Sequence, residues 1–542
     1  MALVDSQVLR VQSSKYLLGR GTNRIWYPSL RTNFCARPRI PKLNLTASMW
    51  SLADHKSMHS TKAGKDHVAW QSVKEERCEG ELEVDGNISK WLNGTYLRNG
   101  PGVFHIDNYN VNHLFDGYAT LVRVQFDNGE AKGGHAMLQS EAYMTAKRNN
   151  RICHREFSES PKPSNLLSCI GYLVGMVSGA SVTDNACIAV VSLGDGRVMC
   201  LTETTKGFIQ IDPNTLETIG RFNYTDNLGW INVLQSGHPM ISESELITVL
   251  PDLVNPGYNV VRMLAGTNER TIIGRVSCRG GHAPGWVHSF AVTENYIIIP
   301  EMPLKYSIHY VFGGDVLKWW PESKAFVHVV SRVTRLRVTS IEVPLFMTMH
   351  FINAYEERQE LGKKSSIIVD CCEYNADYSI IDRLKLQALR SFSGEDVLPN
   401  SRIGRFTLPL DGSASGKLDV AFPPEKHGRG IDMCNINKKY VGKMYRYIYG
   451  CTSQRPCNAL NTLTKIDLEK KVSKSWYIDG GIPSEPCFVA RPGAKTEDDG
   501  VVKSIVSDKY GDGFVVILDG STFKEIARAK FVYGLPFGTH GC

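Results

Sequence analysis

Short apolar runs recur along this chain, each broken by a pair or triplet of turn-forming residues and not by a long polar linker. Leu121–Phe126 followed by Asp-Asn-Gly, Ala189–Leu193 followed by Gly-Asp-Gly, and Val515–Leu518 followed by Asp-Gly each predict a β-hairpin, because these residues accept the positive φ that tight hairpin turns require. One spacing occurs twice: Asp212-x-x-Thr215-x-x-x-Ile219-x-Arg221 and Asp519-x-x-Thr522-x-x-x-Ile526-x-Arg528, each just after a β-branched run. Two copies of one strand–turn–strand unit suit a β-propeller, whose blades reuse a single supersecondary piece, although two copies do not count blades. Helical periodicity is minor. Tyr378–Phe392 has apolar residues at three- and four-residue intervals and predicts a helix lying over the sheets.

Residues 163–183 carry no charge, and their apolar centre is Leu166–Val177. That centre is too short to cross a bilayer, which takes about 20 residues. Two readings remain open for it: a helix that dips into a membrane interface, or a buried cap helix. No internal stretch rich in Pro, Gly or Ser divides the rest, so residues 61–542 read as a single domain.

Charge is concentrated at one end. Residues 1–60 hold nine Lys or Arg against Asp5 and Asp54, which accounts for the whole net charge of +7. The remainder is balanced, so the basic character describes a leader and argues against a nucleic-acid surface. Being acid-poor, Ser- and Arg-containing and without a continuous apolar segment, residues 1–60 read as an organelle transit peptide, disordered on its own; a plain basic tail is the other reading. The 14 cysteines include no Cys-x-x-Cys. Cys371 and Cys372 are adjacent and Cys451 and Cys457 are separated by five residues. Neither a zinc ribbon nor a dithiol redox site is supported, and buried free thiols are expected.

Four histidines stand far apart in strand-like phrases: His238 in Gln-Ser-Gly-His-Pro, His288 in Gly-Trp-Val-His-Ser-Phe, His350 in Met-Thr-Met-His-Phe-Ile-Asn and His540 in Pro-Phe-Gly-Thr-His-Gly-Cys. Singly, each is more readily a core or turn histidine than a ligand. None shows the close spacing of a helical zinc motif.

The phrases around them carry more. Trp-Leu-Asn-Gly-Thr-Tyr-Leu-Arg-Asn-Gly-Pro-Gly (Trp91–Gly102), His-Leu-Phe-Asp-Gly (His113–Gly117), Pro-Ser-Glu-Pro (Pro483–Pro486) and Glu-Asp-Asp-Gly-Val-Val (Glu497–Val502) resemble, in order, signatures of the carotenoid cleavage dioxygenase family. The resemblance runs from about Val68 to Cys542. Within the family it is nearest the plant branch that makes carlactone, the strigolactone precursor. That narrower likeness rests on Ser391–Pro399, on His-Gly-Arg-Gly-Ile-Asp-Met-Cys (His427–Cys434), on Gln-Arg-Pro-Cys-Asn (Gln454–Asn458) and on the final Gly-Leu-Pro-Phe-Gly-Thr-His-Gly-Cys.

The resemblance implies an all-β, seven-bladed β-propeller with a cap of helices and loops over its iron-containing end. It implies that His238, His288, His350 and His540 sit at inner strand ends of different blades and hold Fe2+, although zinc binds imidazole equally well. It also implies carboxylates behind the ligands: Glu203 on His288, Asp432 on His350 and Glu485 on His540. Asp432 departs from the glutamate usual in the family and is one methylene shorter, so either its strand comes closer or a water bridges. Gly237 and Met240 depart where many relatives read Ala-His-Pro-His. Trp286, Phe290, Phe346, Phe351 and Phe537 are candidates for a tunnel wall or for the core.

The implied reaction adds dioxygen across one double bond of a conjugated chain and breaks it into two carbonyl fragments. In the carlactone-forming branch the substrate is a cis-apocarotenal, 9-cis-10′-apo-β-carotenal, and repeated oxygenation with rearrangement gives carlactone and a short hydroxy-aldehyde. The partners expected are the apocarotenoid and dioxygen, with no nucleic acid, peripheral membrane contact through residues 163–183, a monomeric state and a chloroplast location. Two rivals share the motifs: an apocarotenoid-cleaving enzyme that yields simple aldehydes, and a carotenoid-binding propeller without turnover.

Overall fold

Asn128 (φ 49°) and Gly129 (φ 97°) both lie in left-handed backbone between the strands Tyr118–Asp127 and Glu130–Met137. Positive φ at both central positions is the geometry that matches the right-handed twist of paired strands, and the Asp-Asn-Gly signal is realised as that hairpin. Ala189–Ser192 with Val198–Leu201 and Gly513–Asp519 with Glu525–Phe531 form the other two expected hairpins. The computed structural model describes residues 67–542 apart from 163–164, 229–232, 308–313, 358–364, 392–397, 455–456 and 510–511. The proposed leader therefore lies outside the described residues, as do parts of the phrases Ser391–Pro399 and Gln454–Asn458.

Seven antiparallel sheets follow one another along the chain, each a blade of a β-propeller. The first blade is built from Gly94–Val103, Tyr118–Asp127, Glu130–Met137 and Arg77–Glu81, and the second from Ala189–Ser192, Val198–Leu201, Phe208–Ile211 and Thr218–Arg221. The third runs through Met240–Ile241, Glu245–Asp252, Gly257–Leu264 and Arg270–Ser277, and the fourth through Ala291–Val292, Tyr296–Glu301, Ala325–Ser331 and Arg337–Val343. The fifth comprises Thr348–Glu357, Ser366–Glu373, Arg402–Pro409 and Lys417–Val420, and the sixth Arg429–Asn435, Tyr447–Ser453, Thr462–Asp467 and Val472–Tyr477. In the seventh, Ile482–Pro483 and Cys487–Ala490 pair with Gly500–Ser507, followed by Gly513–Asp519 and Glu525–Phe531.

The ring is closed by an early strand. Glu83–Gly86 pairs with Glu525–Phe531 on the outside of the seventh blade, while Arg77–Glu81, just before it, pairs in the first. Leu82, between the two, is buried with Tyr96, Val124, Val515 and Ala529 in the core that joins these blades. A fully buried side chain of valine size or larger there contributes on the order of 1.5–3 kcal/mol.

The repeated sequence spacing is one turn used by two blades. Asp212 Oδ1 accepts from Thr215 N at 3.0 Å and Asp519 Oδ1 from Thr522 N at 2.7 Å. Four residues on, Leu216 (φ 59°) and Phe523 (φ 61°) are left-handed and buried. Ser331 with Arg335 (φ 63°) and Asp467 with Lys471 (φ 53°) build the same turn in the fourth and sixth blades. Only the residue types differ, which is why two copies out of four were visible.

The expected single helix over Tyr378–Phe392 is instead two short ones, Ile380–Arg383 and Leu386–Arg390; Phe392 is outside the described residues. Lys385 between them is extended (ψ 135°). The break frees the backbone to pair with another segment: Leu114 N donates to Leu384 O at 3.0 Å, and Leu386 N donates to Asn112 O at 2.8 Å. Tertiary hydrogen bonds thus override the helical periodicity.

Leu166–Val177 is a helix, capped by Asn165, whose side chain accepts from Ser168 N. Leu167 is 82% exposed and Leu166, Ile170 and Val174 are exposed with it, whereas Gly175 and Met176 are buried. A wholly buried cap helix is excluded. Among the described residues, no helix is long and apolar enough to cross a membrane. All the described cysteines are free thiols, and about half are buried.

Candidate metal centre

The four histidines converge. One ring nitrogen from each lies within 4.8 Å of those of the other three. His288 Nε2 is 3.2 Å from the Nε2 atoms of both His238 and His350, and the ring of His540 lies 4.5 Å from that of His238 and 4.8 Å from that of His350.

Backbone links hold neighbouring segments in register. Ser236 Oγ and Gly237 N both donate to His288 O, at 2.8 and 2.9 Å. Ser289 Oγ donates to Met349 O at 2.6 Å and accepts from Phe351 N at 3.0 Å. His350 lies where the strand Thr348–Glu357 bulges, between Thr348 and Phe351; an extra residue re-aims the side chains around it. His238 and His288 instead precede the first strands of the third and fourth blades. His540 lies on a tail paired with Gly94–Val103: Asn99 N donates to His540 O at 3.1 Å and Thr539 N to Asn99 O at 2.7 Å. So the four do not all come from inner strand ends of different blades.

Carboxylates stand behind three of the rings. His288 Nδ1 is 2.6 Å from Glu203 Oε1, and His350 Nδ1 is 2.6 Å from Asp432 Oδ1. The shorter acid reaches its histidine directly, without a bridging water, because Asp432 sits beside a second bulge and the next residue, Met433, is left-handed (φ 50°). His540 Nδ1 is farther from its acid, 3.4 Å from Glu485 Oε2. Among the described residues no acid pairs with His238.

These contacts fix the tautomers. With Nδ1–H donated to a carboxylate, Nε2 of His288 and of His350 carries only a lone pair whenever the ring is neutral. Two lone pairs facing each other at 3.2 Å repel, and a cation between them turns that repulsion into ligation. The spacing fits: imidazole nitrogens about 2.1 Å from one ion, at right angles, lie about 3 Å apart. The donor set therefore suits a metal that accepts imidazole, iron and zinc among them.

Burial and charge set the protonation. Burial, then the neighbouring imidazoles, pushes His238 well below the ordinary histidine value. Burial also lowers His288 and takes His540 down to about 4, with Glu203 and Glu485 opposing. For His350 burial again favours the neutral ring, but the Asp432 carboxylate overcomes it and raises the value. Glu485 is resisted by burial yet drawn down to about 2 by His540 and Arg98.

Several supporting residues carried no sequence signal of their role. Trp286 Nε1 donates to both oxygens of Glu203, at 3.1 and 2.9 Å. Tyr374 donates its hydroxyl to Asp432 Oδ2. Arg98, fully buried, donates from Nη1 to Glu485 Oε2 at 2.6 Å and from Nε to Tyr96 Oη at 2.7 Å. Arg98 lies within the quoted Trp91–Gly102 signature, but nothing in that phrase points to position 485.

One apolar cavity opens onto the cluster, lined by Leu114, Phe115, Phe157, Tyr306, Leu389 and Phe537 among others. Of the five aromatic candidates, only Phe537 is in that wall. Trp286 braces Glu203, Phe290 and Phe346 are core, and Phe351 packs at the edge of the core. The departure at Gly237 has a steric account: a Cβ there would lie 3.3 Å from Cε1 and Nδ1 of His288.

The family described as retinal pigment epithelial membrane protein matches residues 70–542. The chain is 56% identical over 480 residues to carotenoid cleavage dioxygenase 8 homolog B, chloroplastic, of Oryza sativa subsp. japonica, covering 88% of this chain and 84% of that protein. To carotenoid cleavage dioxygenase 8, chloroplastic, of Arabidopsis thaliana it is 57% identical over 487 residues, covering 88% and 85%. Among solved structures, cobalt-substituted Synechocystis ACO superposes with a TM-score of 0.71 at 22% identity, over 88% of this chain and 97% of that one. That likeness concerns the fold. The expected chloroplast location agrees with the names of both plant relatives.

Proposed function

This chain belongs to the retinal pigment epithelial membrane protein and carotenoid cleavage dioxygenase family and is an apocarotenoid-cleaving dioxygenase; from that premise we propose that its four histidines hold Fe2+ and that it turns 9-cis-10′-apo-β-carotenal into carlactone. The observation that carries the metal assignment is the meeting of imidazole lone pairs in an apolar cavity, with the opposite nitrogens engaged by acids. The observation behind the substrate is the likeness to two proteins named carotenoid cleavage dioxygenase 8, above half identity.

In this reading His238, His288, His350 and His540 are neutral ligands. A ferrous ion held by them supplies dioxygen activation. Glu203 and Asp432 keep the Nδ1 protons of His288 and His350 in place and orient those rings, Glu485 faces His540 as a counter-charge, and Trp286, Tyr374 and Arg98 orient the three acids. The apolar walls exclude water and bind the conjugated chain, and the choice of bond rests on how far the chain can slide past the histidines. The exposed face of Leu166–Val177 rests in a plastid membrane surface, where a lipid-dissolved polyene is collected by a monomer.

The test is anaerobic ferrous loading of the purified chain, then isotopically labelled dioxygen and mass analysis of products from candidate apocarotenals. Carlactone with a short hydroxy-aldehyde is the expected outcome. Two simple aldehydes would assign one-bond scission instead, and an inert, metal-loaded protein would leave a carotenoid-binding role.

A further inference from the structure

Glu156 lines the same cavity as the histidines. Its residue is 2% exposed, and its Oε1 has no hydrogen-bond partner among the described residues. A buried, unmatched carboxyl oxygen costs about 1–3 kcal/mol unless something satisfies it. Several other polar side chains of this wall are spent on the protein, whereas the indole N–H of Trp70, which also lines it, has no partner among the described residues. Asn185 accepts from Ala119 N and donates to Gly117 O, Ser401 bonds Ile431, Tyr374 bonds Asp432, and Thr539 donates to Asn99 O. The same wall carries Phe115, Phe157 and Ile188.

The protonation of this acid is set by its surroundings. Burial pushes it well above the ordinary glutamate value, the Thr183 hydroxyl and Arg155 oppose that, and the carboxylates of Asp116 and Asp184 add to it. A neutral carboxyl in an apolar wall is a hydrogen-bond donor.

We propose that Glu156 is a substrate-binding residue that donates a hydrogen bond to the carbonyl oxygen at the polar end of a polyene aldehyde, fixing how far the chain reaches toward the histidine cluster. The assignment rests on the apocarotenoid reading above. It explains how a largely apolar cavity distinguishes an aldehyde-ended chain from a hydrocarbon, since satisfying a buried polar group discriminates far better than apolar contact does. No covalent step is involved; Glu156 keeps its proton.

The experiment uses the full chain, metal-free for binding and ferrous-loaded for turnover. Its probes are 9-cis-10′-apo-β-carotenal and an isoprenoid hydrocarbon of equal length without the carbonyl. A hydrogen bond to the carbonyl lowers its stretching frequency and moves the polyene absorption band to the red, so bound aldehyde should show both changes in the unsubstituted protein. E156L should abolish both and raise KM for the aldehyde about tenfold, the worth of one such bond. Its metal content and its affinity for the hydrocarbon should be unchanged. E156Q keeps an N–H donor and should retain most of the aldehyde affinity. An unshifted carbonyl in the unsubstituted protein overturns the assignment even if E156L fails to fold. Equal weakening of both probes by E156L also overturns it, because that marks a structural role. If the aldehyde binds with a Glu156-dependent shift but is never cleaved, the carbonyl site stands and the proposed reaction falls.

Discussion

Arg98 and Glu485, distant in sequence, form an ion pair with Nη1 2.6 Å from Oε2, the arginine fully buried and the acid largely so, and this holds the carboxylate that faces His540. Arg98 also donates from Nη2 to the Glu485 carbonyl oxygen. A guanidinium with two contacts on one residue fixes that acid more firmly than a point charge can. Replacing it with methionine leaves Glu485 buried and unpaired, so R98M should cost about 3–5 kcal/mol in denaturant unfolding. It should also lower metal content. A variant with native stability and full metal occupancy would show that Arg98 is dispensable to the site.

Asp432 is used at both ends: Oδ1 takes His350 and the Met433 amide, and Oδ2 takes the Tyr374 hydroxyl. D432A should weaken metal binding by roughly ten- to a hundredfold, read by competition with a chromogenic chelator. D432E inserts a methylene into a packed and bulged segment and should cost about 1–3 kcal/mol. Y374F, which leaves one buried carboxylate oxygen short of a partner, should fall between unsubstituted protein and D432A in metal affinity.

His350 has a carboxylate contact of 2.6 Å, as short as that of His288, and lies within a strand bulge. H350A should abolish retention of iron after anaerobic loading and gel filtration, measured by elemental analysis. Added ferrous ion should stabilise the unsubstituted chain by about 2.7 kcal/mol at a hundred times its dissociation constant, and should not stabilise H350A. A fully loaded H350A would remove His350 from the ligand set.

The metal-free protein should show opposite titrations within one cluster. Proton resonances of the imidazoles should report His540 neutral down to about pH 4 and His350 charged above the ordinary value of 6.5. The signs for stability follow. A histidine lowered in the folded state favours folding above its unfolded value, and that advantage is lost as pH falls from 6.5 towards 4. A raised one, His350, favours folding below its unfolded value and loses that as pH rises through its folded value. H540Q should therefore flatten the acid side of the metal-free stability curve, and equal slopes for both proteins would contradict this.

The exposed apolar side chains of Leu166–Val177 give a separate test. The double change L167D/I170D should reduce sedimentation with vesicles of plastid-like lipid composition by about tenfold while leaving turnover of detergent-dissolved substrate intact. Unchanged sedimentation would move the membrane contact elsewhere.

Strand-forming segments were legible because hairpin chemistry is local: Asn128 and Gly129 announce a turn that needs nothing beyond its neighbours. The four histidines were legible through the phrases around them and not through their spacing. Lys385 was not, since what breaks the helix there is pairing with Asn112 and Leu114, remote in sequence. Arg98, Tyr374 and Glu156 escaped for the same reason: an arginine in a strand, a tyrosine after one and a glutamate in a loop have ordinary surface roles until the fold closes them away from water. Long-range contact, rather than residue type, gives them their meaning.

Pairing Glu83–Gly86 with Glu525–Phe531 also has a kinetic side. That clasp joins segments at opposite ends of the described chain, so it must await every blade between them, and it is the step most burdened by loop-closure entropy. Carrying the short strand past the C-terminus by circular permutation would shorten that loop but make the pairing of Arg77–Glu81 with Glu130–Met137 the distant one, so the ring keeps one late closure wherever it is cut.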